Sequence, residues 1–133
     1  MIKKNRLWID DSKATNVDAT INALKSFKDK EIHLILGGDD KGANLNPLFD
    51  DLINYNITIY AIGSNENKII DLAKSKNIES FSMKTLNNAV KEIDTKLHSK
   101  ALGILSPAAA SLDQFTSYKH RGEEFKKEID RLS

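Results

Sequence analysis

Three short polar stretches, each directly behind an apolar run, carry the residue types that hold anions. They are Asp11-Ser12-Lys13-Ala14-Thr15, Gly37-Gly38-Asp39-Asp40-Lys41-Gly42 and Ser106-Pro107-Ala108-Ala109-Ala110-Ser111. In the first, Lys13 and Thr15 precede a helical pattern, where unpaired backbone N–H groups and the helix dipole favour a carboxylate or phosphate. The plainer alternative is that Thr15 caps the helix and Lys13 is solvated. Asp11 suits either hydrogen bonds from sugar hydroxyls or the start of the turn. In the second, paired glycines permit left-handed backbone and expose N–H groups, while Lys41 supplies a point charge. Its spacing matches neither G-x-G-x-x-G nor the phosphate loop G-x-x-x-x-G-K-[ST], and a flexible loop with an exposed lysine is the alternative. In the third, Ser106-Pro107 ends a buried run and three alanines let a ligand approach backbone. Ser111 can donate to a carboxylate or cap a helix.

Other chemistries find little support. No histidine stands at nucleophile spacing and G-x-S-x-G is absent, so Ser111 is not read as a triad serine. His33 falls in a strand pattern, and His98 and His120 in helical patterns far apart in sequence, so metal-ligand spacing is missing. The Lys and Glu along residues 119 to 131 read as the solvated face of a helix. Trp8 and the other aromatics read as core, since no basic patch interleaves with them.

The elements that must position these stretches alternate along the chain. Leu7-Trp8-Ile9 reads as a strand, and Val17, Ile21, Leu24 and Phe27 fall on one helical face behind Thr15, which with Asp18 resembles a capping box. Ile32 to Leu36 is a strand running into the glycines. Asn46 can cap and Pro47 can begin the next helix, whose stripe is Leu45, Leu48, Phe49, Leu52 and Ile53. A strand over Ile57–Ile62 ends at Gly63-Ser64-Asn65, and Ile69, Ile70 and Ala73 predict another helix. Glu79 to Ser82 is a short strand, Leu86 to Leu97 a helix, and Ala101 to Leu105 a buried strand. A last helix has Phe115, Tyr118, Phe125, Ile129 and Leu132 on its apolar side. Regular βα alternation predicts a single three-layer α/β, Rossmann-like domain over residues 1–133: a mostly parallel sheet of about six strands with helices on both faces. In such sheets ligands bind beyond the carboxyl ends of the strands, where all three polar stretches fall.

Composition narrows the partners. The chain has 133 residues, enough to bury roughly two-thirds of its unfolded surface in one core. Twenty Lys and Arg against 19 Asp and Glu leave a net charge of +1, so no global field favours nucleic acid or an acidic membrane. Anion recognition must be local. The absence of cysteine fits a reducing compartment, and no apolar run approaches the roughly 18 residues of a membrane span, so a cytoplasmic location is expected.

Taken in order, the strings Trp8-Ile9-Asp10-Asp11-Ser12-Lys13-Ala14-Thr15-Asn16, Leu36-Gly37-Gly38-Asp39-Asp40-Lys41 and Leu105 to Phe115, followed by Arg121-Gly122-Glu123-Glu124-Phe125, resemble the C-terminal domain of the Mur ligase family. The likeness is to the type that adds D-glutamate; the D-N-P-R string of the diaminopimelate-adding members is absent. The resemblance implies a reaction in which ATP converts the carboxylate of UDP-N-acetylmuramoyl-L-alanine into an acyl phosphate, which the amine of D-glutamate attacks. It implies that Thr15 and Lys41 hold the α-carboxylate of D-glutamate, and that Ser111 holds its side-chain carboxylate with backbone help from Leu112 and Tyr118. Asp11 would meet the ATP ribose, and Lys13 the phosphates and the incoming amino acid. ATP and Mg2+ belong to the full-length enzyme. The resemblance further implies a monomer in which the UDP-binding and central ATPase domains precede Leu7, so that this chain alone holds no catalytic residue, no metal ligand and no ligation activity. Tyr118 stands where related enzymes carry Phe, Asp40 where a glycine is common, and Ala109 where a cysteine can occur. From the residues alone, a free-standing α/β module for a small anion or nucleotide is the other expectation.

Overall fold

The structure is a computed structural model and describes residues 1–3 and 6–132. It has six strands, β1 (Ile2–Lys3), β2 (Arg6–Asp10), β3 (Glu31–Leu36), β4 (Ile57–Ile62), β5 (Ser80–Lys84) and β6 (Ala101–Leu105). Five helices connect and close them: α1 (Val17–Leu24), α2 (Asn46–Leu52), α3 (Glu66–Ser75), α4 (Leu86–Asp94) and α5 (Tyr118–Asp130). The sheet order is β1-β2-β6-β3-β4-β5. Among the strands of the described residues only the β1–β2 pair is antiparallel, and the other pairs are parallel. The fold is thus the mostly parallel three-layer arrangement that βα alternation predicts.

Side-chain alternation along the central strands divides the core into two. Leu34, Leu36, Ile59, Leu102 and Ile104 pack with Leu24, Leu48, Phe49, Leu52, Ile69 and Ala73 from α1, α2 and α3. Ile35, Tyr60, Ile62 and Leu105 face the other way, onto Val90 and Ile93 of α4 and Phe125 and Ile129 of α5. Covering both faces explains why β3 and β6 read as nearly continuous apolar runs. Gly103 makes room for the indole of Trp8: a Cβ there would lie 2.7 Å from the ring. Trp8 is fully buried and meets Phe125 edge-on, with ring centroids 6.0 Å apart.

Several boundaries depart from the sequence expectations. The cap of α1 is Asn16, whose side chain accepts from the Ala19 amide, so Thr15 is free of that duty. At α2 the residue Asn46 lies inside the helix, and Asn44 accepts from its backbone and side-chain nitrogens. β5 ends two residues later than expected, at Lys84. α4 stops at Asp94, which leaves His98 in the connection to β6 rather than on a helix. Ser111 caps no helix: it closes a single turn to Phe115, and Ser117 caps α5 instead. The face of α5 read as solvated also contains buried Arg121 and Glu128.

Candidate functional site

All three polar stretches leave the same edge of the sheet and are knitted together by backbone. The Asp11 amide donates to Leu105 O at 2.8 Å as the chain leaves β2. Beyond β6, the third stretch runs between the other two: Ala108 N donates to Ala14 O, and Gly37 N donates to Pro107 O. Asp39 and Ala110 exchange amide hydrogen bonds of 3.0 and 2.8 Å. Close approach explains the paired glycines. A Cβ on Gly37 would lie 2.0 Å from Ile62 O, and one on Gly38 would lie 2.5 Å from Ala110 O; both residues also have positive φ.

The result is an open cleft of about 360 Å³ whose walls include Thr15, Lys41, Ser111, Leu112 and Tyr118. These are the five residues that the resemblance assigns to the amino acid. Lys41 brings an exposed ammonium from one side. The same cleft is lined by Asp39 and Asp40, by Ser111 and by the start of α5, whose first N–H groups have no acceptor inside the helix. Partial positive charge at that helix start favours a carboxylate. A cation on one side and an N–H-rich wall on the other can hold both ends of a small dicarboxylate. Side-chain hydroxyls of Thr15, Thr116 and Ser117 add neutral donors.

A second cleft of about 300 Å³ adjoins the first, with Tyr118 forming part of both walls. Lys13 lines this second cleft together with Lys119 and Lys126, against Asp10 and Glu123. Three ammonium groups suit a phosphate chain better than a single carboxylate. Asp11 lines neither cleft: one carboxylate oxygen accepts from Ser106 Oγ at 2.7 Å, and its carbonyl closes the turn to Ala14.

Two features of the site escape a reading by pattern. Arg121 is 1% exposed, and its guanidinium spans the loops. Nε donates to Ser12 Oγ at 2.9 Å, Nη2 to Ser12 O at 2.6 Å and Nη1 to Ala109 O at 3.0 Å. Ser12 Oγ in turn donates a hydrogen bond to Tyr118 O at 2.6 Å. Burial lowers the Arg121 pKa to about 10 against the opposing pull of Asp113 and Asp10, so it stays cationic at neutral pH. The sequence does carry a signal for it, since Arg121 lies four residues before Phe125 on the apolar stripe. The second feature is Asp40, which lines the first cleft. Burial raises its pKa, but hydrogen bonds from Lys68, Asn65 and the Gly42 amide outweigh this and hold the carboxyl below its ordinary value.

No histidine lines either cleft, although His120 Nδ1 accepts the amide of Thr116. His33 sits between Tyr60 Oη at 2.8 Å and Glu31 Oε2 at 2.7 Å, early in β3 and away from the clefts. Among the described residues no group of three or more His, Cys, Asp or Glu could hold a metal ion, and no helix is long and apolar enough to cross a membrane.

Similarity to known proteins bears on this geometry. No family model matches the chain. A Helicobacter pylori protein named UDP-N-acetylmuramoylalanine--D-glutamate ligase is 56% identical over 124 residues, 93% of this chain and 29% of its own length. Campylobacter jejuni and Koribacter versatilis proteins of the same name are 49% and 47% identical, over 97% and 95% of this chain. Nearly the whole chain is thus similar to one part of proteins that carry this name. It spans about a third of the length of these relatives, 32% for the Campylobacter protein and 27% for the Koribacter one. What the relatives share with this chain is therefore a segment of a Mur ligase, and the clefts described above lie within it.

Proposed function

We propose that this chain provides the D-glutamate site of an ATP-dependent ligase that joins D-glutamate to UDP-N-acetylmuramoyl-L-alanine through an acyl phosphate, in the synthesis of cell-wall peptidoglycan precursor. The observation that carries the reading is the convergence of Thr15, Lys41, Ser111, Leu112 and Tyr118 on one cleft with a cationic side and an N–H-rich side. Lys41 and Thr15 take the α-carboxylate. Ser111 takes the side-chain carboxylate, with the Leu112 and Tyr118 amides beside it. Gripped by its two carboxylates, the amino acid keeps its amine free to attack, and attack requires that amine unprotonated.

The neighbouring cleft fits the phosphate end of ATP through Lys13, with Lys119 and Lys126 nearby. Tyr118, shared by both clefts, is the wall between acceptor and phosphate. Asp11 fits the ribose less directly, because one of its oxygens already serves Ser106. ATP supplies the phosphoryl group that activates the carboxylate. On this reading Mg2+ and the phosphoryl-transfer machinery belong to the remainder of the enzyme. On this reading the isolated chain binds but does not ligate, and the whole enzyme is a cytoplasmic monomer that closes this segment over its ATPase part.

Titration of the 15N-labelled chain with D-glutamate tests the reading. Amide shifts are expected at Lys41, Ser111, Leu112 and Tyr118. Charged hydrogen bonds contribute about 1.5 to 3 kcal/mol each, so Lys41→Ala weakens binding roughly ten- to a hundredfold. Shifts confined to other parts of the surface, or an unchanged affinity in Lys41→Ala, refute it.

A further inference from the structure

Lys41 stands on difficult backbone. Its φ is +55°, a region that a residue with a side chain occupies only when its surroundings hold it there. Part of that hold is local: Asp39 Oδ1 accepts the Lys41 amide at 3.0 Å, and Asp40 Oδ1 accepts the Gly42 amide at 2.9 Å. The rest comes from the first turn of α3. Lys68 Nζ donates to Asp40 Oδ2 at 2.8 Å and to Ala43 O at 2.5 Å. Asn65 donates to Asp40 Oδ2 at 2.9 Å and accepts the Gly38 amide at 2.9 Å. The loop is therefore gripped at residues 38, 40 and 43, on both sides of Lys41.

The same segment reaches the other side of the cleft. Ser64 Oγ donates to Gly38 O at 3.1 Å, and its amide donates to Asp113 Oδ2 at 2.9 Å, two residues beyond Ser111. Both walls thus bear on one helix start. An exposed ion pair ordinarily contributes little. Here the Asp40 side chain is only 9% exposed while Lys68 is 39% exposed. Removing the ammonium leaves a nearly buried carboxylate on the cleft wall short of its strongest partner, free to draw Lys41 inward or to repel an incoming carboxylate.

We propose that Lys68, acting through Asp40, is a positioning residue of the cleft: it locks the loop that presents Lys41 and neutralises a carboxylate on the cleft wall. The substrate named here rests on the D-glutamate reading above, whereas the lock itself does not. Three variants of the 15N-labelled chain test it: Lys68→Met, which keeps the aliphatic stem; Lys68→Arg, which keeps the charge; and Lys68→Met in an Asp40→Gly background. Backbone relaxation of the Lys41 and Gly42 amides is measured without ligand, and the D-glutamate dissociation constant from amide shifts.

Lys68→Met is expected to loosen both amides and raise the dissociation constant about two- to fivefold, the upper part of the range for losing a partly exposed charged contact. Lys68→Arg restores both readouts. In the Asp40→Gly background, Lys68→Met adds less than about 1.5-fold, because only its bond to the Ala43 carbonyl is left to lose. A lowered melting temperature with unchanged amides and unchanged affinity makes Lys68 merely structural and overturns the proposal. So does a full Lys68→Met effect in the Asp40→Gly background. Amides that loosen in a chain whose wild type ignores D-glutamate support the lock and overturn the substrate.

Discussion

Replacing Arg121 by Met removes one nearly unbranched, cationic side chain and tests whether a buried guanidinium ties the loops of the cleft together. The wild-type group is 1% exposed and donates three hydrogen bonds, two to Ser12 and one to Ala109. Methionine fills much of the same volume, so the cavity term is small and the loss comes from acceptors left unpaired. Two of these are backbone carbonyls that water can partly reach once the loops relax. Three unpartnered neutral acceptors at about 1 to 3 kcal/mol each cost about 3 to 9 kcal/mol, and partial rehydration of the two carbonyls keeps the loss near the lower end. Against a stability of roughly 7 to 20 kcal/mol for a domain of this length, the variant folds but is severely weakened. Each kcal/mol shifts the melting temperature by roughly 3 to 6 °C at this size, so a fall on the order of 10 to 25 °C is expected. Thermal and urea unfolding followed by circular dichroism measure it. Arg121→Lys recovers the charge but not the fork that reaches Ser12 and Ala109 together, so its rescue is partial. A loss below about 1 kcal/mol for Arg121→Met refutes the idea that these contacts carry the loop arrangement.

Asn16 and Thr15 separate stability from binding. Asn16→Ala loses the side chain that accepts the Ala19 amide and costs about 1 kcal/mol in urea unfolding, with D-glutamate binding almost unchanged. Thr15→Ala does the reverse, since Thr15 lines the cleft and caps nothing: little stability is lost and the dissociation constant rises. Glu31 sets part of the acid response. Its carboxyl lies below the usual value chiefly through the hydrogen bond to His33, aided by His98 and opposed by burial. The folded state therefore binds this proton less readily than the unfolded one. The resulting stabilisation is present above the ordinary carboxyl value of 4.5 and is lost as pH falls through the lower folded value. Glu31→Gln should flatten that acid limb in unfolding measured from pH 7 to pH 3; an unaltered limb excludes the contribution.

Much of the fold was legible because its causes are local and periodic. Ile32 to Leu36, Ile57 to Ile62 and Ala101 to Leu105 are apolar and short, and helical stripes separate them, so alternation alone predicts a parallel sheet with both faces covered. Helix starts were harder. Thr15 and Asn16 are both good caps one residue apart, and choosing between neighbours depends on where the preceding strand releases the chain; Asn46 has a cap's composition, yet the chain enters α2 at Leu45. Ser111 looked like a cap because Ser-Leu-Asp-Gln has the right composition, yet Ser117 holds α5.

For the site, residue type behind each strand pointed to Lys13, Thr15, Lys41 and Ser111, and only the family resemblance added Leu112 and Tyr118; the stretches meet because the ends of parallel strands converge whatever the details of the loops. The sequence also determined that recognition must be local, with charges nearly balanced over the chain. Which charges remain available was decided only by tertiary structure. Asp40 and Lys68 are 28 residues apart and become a pair because β3 and β4 are neighbours, bringing the start of α3 against the glycine loop. Arg121 is buried because β6 enters the sheet between β2 and β3, which carries Ala109 and Ser12 to the same guanidinium. Pairing and burial depend on distances across the sheet, and no pattern along the chain contains those distances.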